Sequence, residues 1–269
     1  MKLAINYSLQ AAELLTGGKI EVDLFKCPDW PNLIAAARPY RRVAVHFGLK
    51  AGSGRLKDTD WEAVAGWLEQ TGTPYVNLHL HPDLKDYPGF AIDTLGGDQF
   101  EQVVKNLLDD VRAATKRFGA ERVIVENVPY RGESGNCLRP AVEPQVIHRI
   151  LDECGCGLLL DISHARIAAH FLGWDERQYM SQLPVDRLRE LHFTGLHRLD
   201  GRLQDHLPAL EEDWMVLDWV IECIQSQEWA LPWMLAFEYG GVGKVFEWRS
   251  DPQVIAEQIP RLYQVVKDV

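Results

Sequence analysis

Apolar and polar positions along this chain keep switching between two periods. Residues 2–7 alternate with period two and read as a strand, and residues 9–15 carry helical spacing that stops at Gly17 and Gly18. The same alternation predicts further strands at residues 19–25, 42–46, 75–79, 122–126, 157–161, 187–192 and 232–238. Between them, helical spacing predicts helices at 31–37, 61–68, 98–118, 143–154, 213–225 and 252–266, with another starting near His164. Asp60 can cap the one that begins at Trp61. Loops are expected at 48–54, which is glycine-rich, at 81–97, and from about 193 to 212.

Strand and helix units follow one another without a linker, a repeat or a low-complexity segment, which implies a parallel sheet. At 269 residues the expected fold class is α/β, a single (β/α)8 TIM barrel covering 1–269. An open doubly wound sheet would not bring all the strand ends to one mouth.

The centre of the pattern is GLLLDISHARIAA, residues 157–169. Leu158, Leu159 and Leu160 read as a strand buried on both faces, and the run stops at Asp161. His164 follows about one helical turn later, so both side chains can enter the same space. A carboxylate there is costly unless paired, hydrogen-bonded or bound to metal. The other strands end alike: His46, His79, Glu126, Asp161, His192 and Glu238 stand at consecutive strand ends, where a barrel keeps its chemistry. Any one of these histidines, taken alone, is a hydrogen-bonded core or rim residue, so the signal lies in the set.

Glu126, Asp161 and Glu238 are the candidate catalytic carboxylates. Converging on one cavity they would repel each other, and divalent cations remove that difficulty. Imidazole and carboxylate ligands suit zinc, iron or manganese, and two or three ions about 3.5–4 Å apart form the usual polynuclear arrangement. In the loop after the seventh strand, His164 could be joined by Asp205 and His206 at a further ion, with His197 a weaker candidate. Neighbours on an extended chain point to opposite sides, so Asp205 and His206 can both ligate only where the backbone turns. The GGVGK stretch, 240–244, lacks a phosphate loop's spacing, and Val245 stands where that loop has Ser or Thr.

The net charge of -11 disfavours a broad nucleic-acid surface. There is no membrane-length apolar run and no signal-peptide pattern. The cysteines number 5, lack CxxC spacing and read as small buried side chains, and a cytoplasmic, reduced protein fits. The expected partners are a small-molecule or peptide substrate and a helper protein, with neither nucleic acid nor membrane.

ENVPY (126–130), GCGLLLDISHA (155–165), LPVDRLRELHFTGLH (183–197), the QDH loop and FEYGG (237–241) together resemble the uncharacterised-domain family that includes the multinuclear non-haem iron-dependent oxidative enzymes. More distantly, the set is similar to xylose isomerase-like barrels and type IV apurinic endonucleases. The resemblance implies metal ligation by His46, His79, Glu126, Asp161, His192 and Glu238, with Glu126 bridging. It also implies iron as working metal, dioxygen activation, and a peptide substrate presented with a partner protein. Two departures stand out. Oxidative members carry Asp-x-Asn-Asn after the sixth strand where this chain has Asp161, Ile162, Ser163 and His164, and Asp205 and His206 are contiguous where both groups have Asp-x-His. A zinc or manganese hydrolase or isomerase, and a non-catalytic metal-binding barrel, are the alternatives.

Overall fold

The computed structural model describes every residue except Val245, where the sequence comparison with a phosphate loop therefore lies outside the described residues, and the side chain of Glu247. In chain order the strands are β1 (Lys2–Asn6), β2 (Leu24–Pro28), β3 (Arg42–His46), β4 (Lys50–Ala51), β5 (Val76–Leu80) and β6 (Val123–Glu126). They continue as β7 (Gly157–Asp161), β8 (Leu188–Phe193), β9 (Gly195–Leu199), β10 (Arg202–Leu207) and β11 (Met234–Phe237). The helices are α1 (Leu9–Thr16), α2 (Pro31–Ala37), α3 (Trp61–Thr71), α4 (Gly97–Phe118) and α5 (Pro144–Cys154). After them come α6 (Ile162–Leu172), α7 (Glu176–Ser181), α8 (Glu211–Gln225) and α9 (Pro252–Lys267).

The chain divides into two compact units, each built from separated stretches. The first takes Met1–His46, Glu69–Thr73 and Arg189–Val269, and the second takes Phe47–Leu68 and Pro74–Leu188. In the first, parallel strands run in the order β3-β2-β1-β11-β8. Ala4, Leu24, Ala44, Met234 and Ala236 make a buried cluster, with Trp233 packed against it. Side chains two residues apart share a face of a strand, so Asn6, Lys26, His46 and Glu238 form the next layer above Ala4, Leu24, Ala44 and Ala236. Polar chemistry is thus stacked directly on a dry floor.

In the second unit β4, β5, β6 and β7 are parallel in that order, and the register sets His79 beside Glu126. Helix α4 buries Val103, Val104, Leu107, Leu108, Val111 and Ala114 on one stripe. Asp110 lies in the same stripe, 1% exposed, and is satisfied by the backbone. Its Oδ2 accepts the N–H groups of Gly52 and Gly54, and its Oδ1 that of Leu56, all at 2.8 Å. The glycine-rich loop after β3 therefore has a fixed course.

Two expectations change. The strand predicted at 19–25 runs from Leu24 to Pro28 instead. Asp23 accepts the Leu3 N–H with Oδ2 at 2.8 Å, so the alternating residues before it never join the ladder. The loop expected from 193 to 212 contains a hairpin, β9 against β10, closed by Asp200 (φ 49°) and Gly201 (φ 78°). Both turn residues are left-handed, as a two-residue turn matched to strand twist requires. Among the described residues no helix is long and apolar enough to cross a membrane.

Candidate metal centre

The second unit brings together Glu126, Asp161, His164 and His79. Glu126 ends β6 and is 1% exposed, and Asp161 ends β7 at 2%. Oxygens of these two carboxylates and a ring nitrogen of His164 lie within 4.8 Å of one another. Asp161 is also the N-cap of α6, its Oδ1 accepting the His164 N–H at 2.7 Å. One carboxylate thereby starts the helix and fixes where His164 leaves it.

Asn127, 1% exposed, holds this arrangement. Its Oδ1 accepts the Asp161 N–H at 2.8 Å and its Nδ2 donates to the Asp161 carbonyl at 2.9 Å. The side-chain amide thus acts as a peptide group, extending pairing where the strands end. Its own carbonyl lies 3.1 Å from His164 Nδ1. A carbonyl oxygen can only accept, so that nitrogen carries the proton and Nε2 of a neutral ring keeps its lone pair. His79 repeats the device, with Nδ1 3.1 Å from the Leu49 carbonyl and Nε2 3.2 Å from Glu126 Oε2. A lone pair facing a carboxylate oxygen at that distance requires a positive charge between them, whether proton or metal.

The first unit gathers His46, His192, His206 and Glu238. His192 is fully buried, its ring 5.2 Å from that of His46, and its Nδ1 is 3.2 Å from Glu238 Oε1. Behind it, Nε2 donates to Glu190 Oε1 at 2.8 Å, and Glu190 Oε2 accepts from Trp233 Nε1 at 3.1 Å. A carboxylate behind an imidazole fixes the tautomer and raises the basicity of the other nitrogen. His206 donates Nδ1–H to the Glu238 carbonyl at 2.9 Å. The turn that Asp205 and His206 need is present: His206 has φ 59° and the ladder register shifts between Gln204 and Leu207. Ligand atoms of Asp205 and His206 come within 4.8 Å of each other. His197 belongs to the hairpin instead, with Nε2 on the Pro208 carbonyl at 2.7 Å.

Lys26, 3% exposed on β2, is the residue the sequence did not single out. Its ammonium contacts Glu238 Oε1, the oxygen that faces His192. Burial would raise the Glu238 carboxyl, but the Lys26 ammonium, then His192, His206 and His46, outweigh it and hold the group well below the usual carboxylate range. Arg249 is drawn down by burial and supported by Glu238 and Asp205.

Thiolates take no part. All five cysteines are buried, and burial pushes Cys27 to about 12, Cys137 to about 12, Cys154 to about 11 and Cys156 to about 12. What remains is an imidazole and carboxylate donor set in both units, with His79 Nε2 turned to Glu126 and His192 Nδ1 to Glu238. That set fits iron, zinc or manganese.

A model of the family described as "RiPP precursor modification enzyme MbnB/TglH/ChrH" matches residues 37–264. A UPF0276 protein of Acaryochloris marina is 28% identical over 65% of this chain and 54% of its own length. A UPF0276 protein of Pseudomonas aeruginosa is 27% identical over 60% of this chain and 56% of its own. The chain spans about half the length of the curated relatives it matches. Among solved structures, the IOLI protein with a binding zinc atom aligns at TM-score 0.60 and 14% identity, covering 100% of this chain and 97% of that one. The E. coli 3-keto-D-glucoside 4-epimerase YcjR aligns at TM-score 0.60 and 14% identity, covering 98% and 99%. The D-psicose 3-epimerase of Clostridium cellulolyticum H10 aligns at 0.54 and 14%, covering 100% and 99%. These likenesses show the α/β fold of the xylose isomerase-like (β/α)8 barrels.

Proposed function

Because the chain belongs to the RiPP precursor modification enzyme family MbnB/TglH/ChrH, we propose that it is a multinuclear metal enzyme that oxidatively modifies a peptide, with iron as its working metal. One observation carries this reading. In both units a histidine is held through one ring nitrogen and turns the other to a buried carboxylate: His79 by the Leu49 carbonyl, with Nε2 3.2 Å from Glu126 Oε2, and His192 by Glu190, with Nδ1 3.2 Å from Glu238 Oε1. Glu126, Asp161, His164, His79, Glu238, His192, His46, His206 and Asp205 would hold the metal. Bound there, iron would supply electron transfer with dioxygen. The protein's own part is to fix the rings' tautomers, to keep Asp161 aimed through Asn127, and to exclude water around Glu126 and Asp161.

The test is metal analysis of anaerobically purified, reconstituted protein, followed by dioxygen uptake with ferrous enzyme and a precursor peptide. More than one iron per chain is expected, with substrate-dependent uptake that Glu126→Gln abolishes. Less than one iron, zinc or manganese per chain would end the proposal. A redox-inert zinc or manganese hydrolase or isomerase is the second reading, favoured by a donor set that suits those ions equally. Turnover without dioxygen consumption would select it.

A further inference from the structure

One carboxylate of the proposed centre already has a cation of the protein's own: the Lys26 ammonium lies on Glu238 Oε1, with Lys26 3% exposed and Glu238 6%. We propose that Lys26 is a resident positive charge that competes with metal for Glu238, so that metal takes the Glu238 carboxylate only as the ammonium gives way. The inference rests on reading these side chains as a metal centre.

The physics is charge competition at one oxygen. Glu238 Oε1 sits between Lys26 Nζ and His192 Nδ1, the latter 3.2 Å away and preset as an acceptor by Glu190. A divalent ion bound there must displace the ammonium or stay within a few ångströms of it. Like charges that close, in a partly dehydrated site, weaken binding by well over tenfold. Lys26 can yield, since its flexible four-carbon stem can withdraw a charge that Arg would hold more rigidly. It lies on the same strand face as Leu24, a member of the apolar cluster.

Zinc is the probe, titrated into chelator-treated full-length protein against a chromophoric competitor. The wild type is expected to bind zinc, and Lys26→Met should tighten its weakest-bound zinc by about tenfold or more, whereas Lys26→Arg, which keeps the charge, should not. In a Glu238→Gln background Lys26→Met should give no such gain. Thermal melting gives an independent readout: metal-free Lys26→Met should melt below the wild type and regain more of that loss on zinc addition than the wild type gains. Zinc no tighter in Lys26→Met, or tightened as much in the Glu238→Gln background, would overturn the inference alone. A wild type that binds no zinc would overturn it together with the metal-centre reading.

Discussion

Asn127 is the residue whose removal tests most directly how the second-unit set is built. Its amide exchanges two hydrogen bonds with the Asp161 backbone, at 2.8 and 2.9 Å, and it is 1% exposed. Asn127→Ala leaves one N–H and one C=O of Asp161 unsatisfied in a dry place. Each such group costs about 1–3 kcal/mol, so the loss should be about 2–6 kcal/mol, a large share of a typical domain's total. Denaturant unfolding of chelator-treated protein, followed by tryptophan fluorescence, measures it without metal linkage. Asn127→Asp keeps the acceptor for the Asp161 N–H but loses the donor, and should fall between. Metal affinity of Asn127→Ala should drop roughly 10–100-fold, because Asp161 both caps α6 and helps place His164. If Asn127→Ala unfolds within about 0.5 kcal/mol of the wild type at unchanged m-value, the amide does not hold the strand end and the reasoning fails.

Glu190→Gln removes the carboxylate behind His192 while a Gln carbonyl can still accept from Trp233, so zinc should lose roughly tenfold or more in affinity; unchanged binding in the competition titration would refute that coupling. Burial, with Lys50 adding to it and Asp83 opposing, pulls His81 from 6.5 down to about 4. The unfolded chain therefore takes up a proton that the folded one refuses, and stability should fall by about 2 kcal/mol as pH drops from 6.5 towards 4, allowing for partial exposure. His81→Gln should flatten that slope in chelator-treated protein, and an unaltered slope would count against it. A Cβ at Gly195 would sit 1.9 Å from the Pro208 carbonyl oxygen, so Gly195→Ala should push the hairpin aside and cost about 3 kcal/mol, read as a lower denaturation midpoint.

The expected alternation of strands and helices is present because each element obeys its own local period. Gly157–Asp161 is buried at every position, as a continuous apolar run ending in a carboxylate implies, and the helix that follows is capped by that carboxylate. The strand-end ligand types were equally legible, since β3, β6 and β7 do stop at His46, Glu126 and Asp161. The hairpin was legible too, and the signal was Asp200 followed by Gly201 between alternating residues, a pair suited to left-handed turn positions. Read as polar loop residues, they concealed the turn that redirects His206.

Lys26, Glu190 and Asn127 were not legible, for a shared physical reason. A charged or amide side chain within an alternating strand looks like its solvent face, because solvation is the usual way to satisfy it. Here each is satisfied inside: Lys26 by Glu238, Glu190 by His192 and Trp233, and Asn127 by the Asp161 backbone. Such pairings join residues 212, 43 and 34 positions apart, and no local pattern encodes them. They also explain why ligand types alone could not say how many ions the chain would hold. Counting carboxylates treats each negative charge as a demand for metal, whereas the Lys26 ammonium already lies on Glu238 Oε1 and offsets part of that charge.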